Sequence, residues 1–212
     1  MIEQFRDIAK GKTLALVGSG DSALKYEGKE DISIVLNGGI MLPYEFDYFL
    51  GFDGRLPTRD YFYESRSAIR IIGASIAKQD KMLYPDREEI KVGNVPSAIT
   101  YDEWLEANEP QEPHAWFYYE KSDRARLSEN NILYHNGNVA HTGLGFAELL
   151  NPDHITIYGI DLNMRKYFYN DKRLGGTYGM PKAQWMNGMI MDMANVSIVG
   201  GDNCRLVGCR RI

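Results

Sequence analysis

Thr13-Leu-Ala-Leu-Val17, followed at once by Gly18-Ser-Gly-Asp-Ser22, decides the fold. The first five residues are apolar without alternation, and a glycine turn closes them. A strand that alternates has one wet face; a strand that does not is buried on both, as in a covered parallel sheet. Ile32-Ser-Ile-Val-Leu36 repeats the pattern and stops at Asn37-Gly-Gly39. Weaker copies follow at Asp47–Phe52, ending in Asp53-Gly54, and at Ile69–Ile72, ending in Gly73-Ala-Ser75. Ala115–Tyr119 and His154–Tyr158 continue the series, the latter running into Gly159-Ile-Asp161. Val196–Val199 and Cys204–Val207 close the chain as short strands.

Helical signals lie between these runs. Ile2, Phe5 and Ile8 share a helical spacing before the stop at Gly11, which predicts a helix over Ile2–Ala9. A short helix is expected at Tyr101–Ala107, within a polar stretch from Lys78 to Pro113. Thr142–Leu150 reads as a helix with Thr142 as N-cap and Pro152 beyond its end. Pro181–Asn195 reads as another, with proline in the first turn and Met186, Met189, Ile190 and Met193 on one face. Strands alternating with helices predict an α/β domain with a mostly parallel, doubly wound, Rossmann-like sheet and helices on both faces. One domain spans residues 1–212, with a small lid at 163–180.

Composition narrows the function. The 212 residues are 44% apolar and 25% charged, enough for a sizeable core without a staple. The two cysteines, Cys204 and Cys209, read as buried thiols of a reducing compartment. The amino terminus has no apolar signal region, and no run approaches the roughly 18 apolar residues of a membrane span. A cytoplasmic protein is expected. The net charge of −5 argues against a dedicated nucleic-acid surface but allows a local basic pocket. Many of the fourteen tyrosines fall between Tyr44 and Tyr63 or between Tyr118 and Tyr178, where they can stack on a base or pack half-buried.

Polar or glycine residues end four strands on one edge, where open α/β sheets place ligands. Gly18, Ser19, Gly20, Asp21 and Ser22 form a turn whose N–H groups could hold a phosphate or a ribose hydroxyl. It is neither a Walker A loop nor a dinucleotide fingerprint, since Ala23 stands where the third glycine would be. Asn37 and Gly38 offer an amide suited to a base edge, or a left-handed turn. Asp53 and Asp161 are strand-end carboxylates that could bind ribose, metal or an amine, or simply start loops. His141 precedes Thr142 and Gly143 at the helix start and could be a base. His114, His135 and His154 show no zinc spacing. Tyr167, Tyr169, Lys172, Arg173 and Tyr178 would suit either a phosphate-neutralising lid or a solvated loop.

Together these segments resemble the family 42 sialyltransferases and the related MptE-like group of 6-hydroxymethylpterin pyrophosphokinases. Gly18–Ser22 is similar to their Gly-Asn-Gly-Pro-Ser turn, and Val35-Leu36-Asn37 to their strand-Asn segment. Thr142-Gly143, the helix with Ala147, and Ile155–Asp161 look like their Ser/Thr-Gly, helix, strand, Gly-x-Asp block. Asp21 replaces the usual proline, Val139 and Ala140 stand near the family's arginine, and no histidine follows His154.

The resemblance implies a nucleotide-dependent transferase using a CMP-type sugar donor. Gly18–Ser22, Asn37, Gly38, Asp53, Thr142 and Gly143 would bind the nucleotide, and His141 or Asp161 would be the base. That chemistry needs no cofactor. A pyrophosphokinase would instead need Mg²⁺ on Asp53 and Asp161. The missing arginine and lid histidine suit a third reading, a nucleotide-binding protein without catalysis. Expected partners are a nucleotide or nucleotide sugar and a small-molecule or glycan acceptor, without nucleic acid; a homo-oligomer is allowed.

Overall fold

The computed structural model describes residues 2–51, 68–73, 114–121, 128–129, 132–135, 138–162, 166–168, 170–173, 186, 190, 193, 195–200 and 210–211. The strands are β1 (Thr13–Val17), β2 (Ile32–Leu36), β3 (Tyr48–Gly51), β4 (Ile69–Gly73), β5 (His114–Lys121), β6 (Ser128–Glu129) and β7 (Ile132–His135). After helix α1 (Val139–Leu150) come β8 (His154–Tyr158), β9 (Lys166–Tyr167), β10 (Asn170–Arg173), β11 (Val196–Val199) and β12 (Arg210–Arg211).

Ten strands form one sheet in the order β12-β11-β8-β1-β2-β3-β4-β5-β7-β6. Every neighbouring pair is parallel except β6 with β7 at one edge. This is the expected α/β, Rossmann-like class. Strands β9 and β10 make a separate antiparallel hairpin.

The two faces of the sheet differ. Leu14, Leu16, Ile34, Leu36, Leu50, Ile155 and Ile157 point to one face and join a single core cluster with α1. There Phe5, Tyr48 and Phe146 meet edge to face, with ring centres 5.5–5.9 Å apart. On the other face Ala15 pairs with Ser33 and Thr156, Thr156 with Ser197, and Val35 with Val17 and Phe49. All seven are buried, so both faces of the sheet are dry.

Local structure departs from expectation in two places, the amino-terminal segment and the start of α1. The Ile2–Ala9 segment is a 3-10 turn over Ile2–Phe5 followed by turns, with Asp7 at φ 61°. Its N–H groups are used elsewhere: those of Asp7 and Ala9 donate to the carbonyls of Leu149 and Leu150 and so cap the end of α1. The crossovers β1–β2 and β2–β3 carry 3-10 turns, Asp21–Lys25 and Asn37–Met41. Helix α1 starts at Val139, not Thr142, because Asn138 Oδ1 accepts the Ala140 N–H at 2.9 Å and makes Asn138 the cap. Thr142 lies inside the helix, its hydroxyl aimed at the Tyr134 carbonyl at 3.5 Å. The helix ends as expected, at Asn151 in a left-handed conformation just before Pro152.

Met186 and Ile190 are helical and fully buried, and Met193 packs on the core without being helical. The rest of the Pro181–Asn195 reading lies outside the described residues. So do Asp53, Tyr169, Tyr178, Tyr101–Ala107, the rest of the 78–113 stretch and Cys204–Val207. No helix among the described residues is long and apolar enough to cross a membrane.

Phe146→Ala removes the ring shared by Phe5 and Tyr48. Urea unfolding should show a loss of about 3–5 kcal/mol, the usual result of opening a large core cavity. A loss below about 1 kcal/mol would show that the three rings do not organise the core.

Candidate functional site

Strand order reverses between β1 and β8. From β1 the chain moves outward through β2 to β5 and β7; from β8 it moves the other way, to β11 and β12. The two strands lie side by side, from Thr13 with His154 to Val17 with Tyr158. A crevice opens outside the carboxyl ends of strands at such a reversal, because the connections leave in opposite directions.

The loops leaving β1 and β8 are laced together here. Gly18 N–H donates to the Tyr158 carbonyl at 2.8 Å, and Gly20 N–H to the Gly159 carbonyl at 2.8 Å. In return Gly159 N–H donates to Ser22 Oγ at 2.9 Å, and Ser22 N–H to Asp161 Oδ2 at 3.0 Å. Asp161 is only 3% exposed. Three N–H groups of the glycine turn are therefore spent on the protein. Its glycines serve close backbone approach. A Cβ on Gly18 would strike the Gly159 carbonyl, and one on Gly39 would lie 2.7 Å from the Gly18 carbonyl oxygen. Gly159 itself sits at φ +64°, with a Cβ position 2.7 Å from that of Ala23.

Thus Gly18, Ser19, Gly20, Ser22 and Asp161 gather at the reversal, and Asn37 and Gly38 join them through Gly39. Asp21 points to solvent. Asn37 is left-handed, at φ 48°, and its Oδ1 is buried without a hydrogen-bond partner. The turn reading and the ligand reading of this residue are compatible. His141 and Thr142 are fully buried in α1, and Gly143 lies against Leu36 and Leu16, where a Cβ would come within 2.7 Å of Leu36 Cδ2. Gly143 and Thr142 thus meet the sheet at β1, β2 and β7.

Within the 163–180 stretch, β9 and β10 form a hairpin, with Tyr167 opposite Asn170 and Lys166 opposite Arg173; Lys172 lies in its second strand. Its turn reaches the crevice, where Phe168 N–H donates to the Ser19 carbonyl at 3.2 Å. At the end of β8, Tyr158 donates to Glu30 Oε1 at 2.7 Å, and its ring meets Tyr26 at 5.3 Å. Burial, then the hydrogen bond to Glu30 and its charge, hold the Tyr158 phenol well above the ordinary tyrosine range.

Asn138 and the Glu30–Tyr158 pair escaped the sequence reading. An asparagine directly before the apolar run at Val139 was the available signal for the first. The second joins residues 128 positions apart, which no local pattern carries. No protein-family model matches the chain, and no curated protein sequence matches it.

Gly159→Ala should cost about 1–3 kcal/mol in chemical unfolding, since the new methyl meets Ala23 and the backbone is left-handed. An unchanged midpoint would mean that the two loops can separate freely. The tyrosine pair predicts a pH effect. Its folded pKa is raised, so its contribution is complete below about pH 10, the ordinary tyrosine value, and is lost as pH rises beyond it. Urea midpoints should be flat up to that pH and then fall. Tyr158→Phe should lower the plateau by about 1 kcal/mol and make the alkaline fall shallower, and an unchanged alkaline fall would remove Tyr158 as its source.

Proposed function

We propose that this protein is a nucleotide-dependent transferase that takes a CMP-type sugar donor at the β1/β8 crevice and passes the sugar to a small-molecule or glycan acceptor. The observation that carries this reading is Asn37: a buried amide oxygen with no donor, at a strand end beside the reversal. A buried acceptor left unmade costs about 1–3 kcal/mol, which a ligand N–H or O–H would recover. The amino group of a cytosine and the hydroxyls of a ribose are such donors.

The hairpin supports the reading. Its turn is bonded to Ser19, so Lys172, Arg173 and Tyr167 belong to an element that touches the crevice. Cations there would steady a departing phosphate and could stand in for a metal. Asp161 spends one oxygen on Ser22, and His141 is enclosed in α1, which favours positioning duties for both over proton transfer. A pyrophosphokinase would ask Asp161 and Asp53 to hold Mg²⁺ instead, and that is the outcome the metal arm of the test detects. The proposed chemistry goes with a cytoplasmic location.

Thermal shift against CMP, CDP, UDP, GDP, AMP and ATP, each with and without Mg²⁺, tests the proposal, because a ligand of the native state raises its melting temperature. Stabilisation by CMP or CDP without metal is expected. Asn37→Gly keeps the left-handed backbone and removes the acceptor, so it should weaken that binding about tenfold. Stabilisation by ATP only with Mg²⁺ would replace the proposal with the pyrophosphokinase. No shift with any nucleotide would end it.

A further inference from the structure

We propose that Asn138 is a ligand-binding residue that donates its side-chain N–H to an anionic oxygen, a phosphate of the bound nucleotide, at the mouth of α1. The inference rests on the nucleotide reading above and adds to it a residue and the group it recognises.

The orientation of the amide is determined by its neighbour. Ala140 N–H needs an acceptor, so the atom 2.9 Å from it must be Oδ1 and the other must be Nδ2. Oδ1 is thereby spent on the cap. Nδ2 is left, buried and without a partner, on a residue only 5% exposed. An enclosed amide donor without an acceptor is rare in folded proteins and calls for an explanation. Oδ1 lies at the first turn of the helix, and Nδ2 of the same planar group lies beside it.

The surroundings suit a negative charge. The twelve-residue α1 carries the positive end of its dipole here, and the first N–H groups of any helix lack intrahelical acceptors. Such ends usually gain an Asp or Glu in the first turn; Val139-Ala140-His141 has none. The position is right as well. Helix α1 follows the parallel strand β7 and runs back to the start of β8, so it begins on the carboxyl edge of the sheet. One turn into the helix, Gly143 rests on Leu36, the residue before Asn37.

Two substitutions separate capping from binding. Asn138→Asp and Asn138→Ser both keep an oxygen for Ala140 N–H and remove the donor, and both residue types cap helices well. Their melting temperatures without ligand should match the parent within a few degrees. Binding of CMP and of cytidine is then measured by calorimetry for all three proteins. CMP should weaken about tenfold in Asn138→Ser and further in Asn138→Asp, where a carboxylate faces the phosphate. Cytidine, which has no phosphate, should bind all three alike.

Equal loss for CMP and cytidine, or no loss for either, would overturn the proposal while leaving the nucleotide reading intact. If the parent binds neither, the nucleotide reading fails, and inorganic phosphate decides the residue. A melting temperature raised by phosphate in the parent but not in Asn138→Asp upholds the anion site. The absence of any phosphate effect in the parent overturns it.

Discussion

Everything at the carboxyl edge depends on bare backbone meeting bare backbone where β1 and β8 separate. Gly18, Gly39 and Gly159 come from three different strand ends and leave no room for a Cβ between them. That contact lets the loops exchange four hydrogen bonds through Gly18, Gly20, Ser22 and Gly159. A side chain at any of the three would hold the loops apart and leave those donors unpaired in a closed space, which is costly. The crevice is therefore rigid at its base. A ligand would meet a preformed floor and would not have to order one.

The sheet beneath divides its labour between two faces. Large aliphatic and aromatic residues on one face bury α1 and anchor the edge energetically. The other face carries the fully buried Val17, Val35 and Phe49 beside the small Ala15, Ser33, Thr156 and Ser197. It also carries polar pairs: Ser33 exchanges hydrogen bonds with Asp47, and His154 lies 2.9 Å from Ser197 Oγ. Pairing makes such burial tolerable. His154, at the start of β8, lies at the opposite edge from the crevice.

Two asparagines stand out against this thorough pairing. Asn37 keeps an unused acceptor and Asn138 an unused donor, and both stand on the carboxyl edge. The remaining polar groups of the glycine turn are largely absorbed by the fold. The glycine turn, which sequence alone makes conspicuous, spends three N–H groups on the protein, whereas each of the two asparagines keeps one buried polar atom unpaired. Asp161 accepts the Ser22 N–H, and His141 is fully buried in α1.

The sequence by itself determined the strands and their parallel arrangement. Thr13–Val17, Ile32–Leu36, His154–Tyr158 and Val196–Val199 appear within the boundaries their composition implies. Uninterrupted apolar runs closed by glycine leave a chain few other ways to bury them. It also located the polar strand ends, since turn residues declare themselves locally. It could not assign their work. Whether the N–H groups of Gly18–Ser22 face a ligand or another loop depends on β8, about 140 residues on, as the Ser22–Asp161 bond shows. The start of α1 was misplaced for a related reason. Thr142 and Asn138 are both good caps in sequence, and only the path of the chain after β7 decides which side chain reaches a free N–H. The Ile2–Ala9 helix failed because its N–H groups had a better use, on the carbonyls at the far end of α1. Periodicity reports which residues can be buried together; the partners of backbone and amide groups are set by three-dimensional contact, and only the tertiary structure contains that.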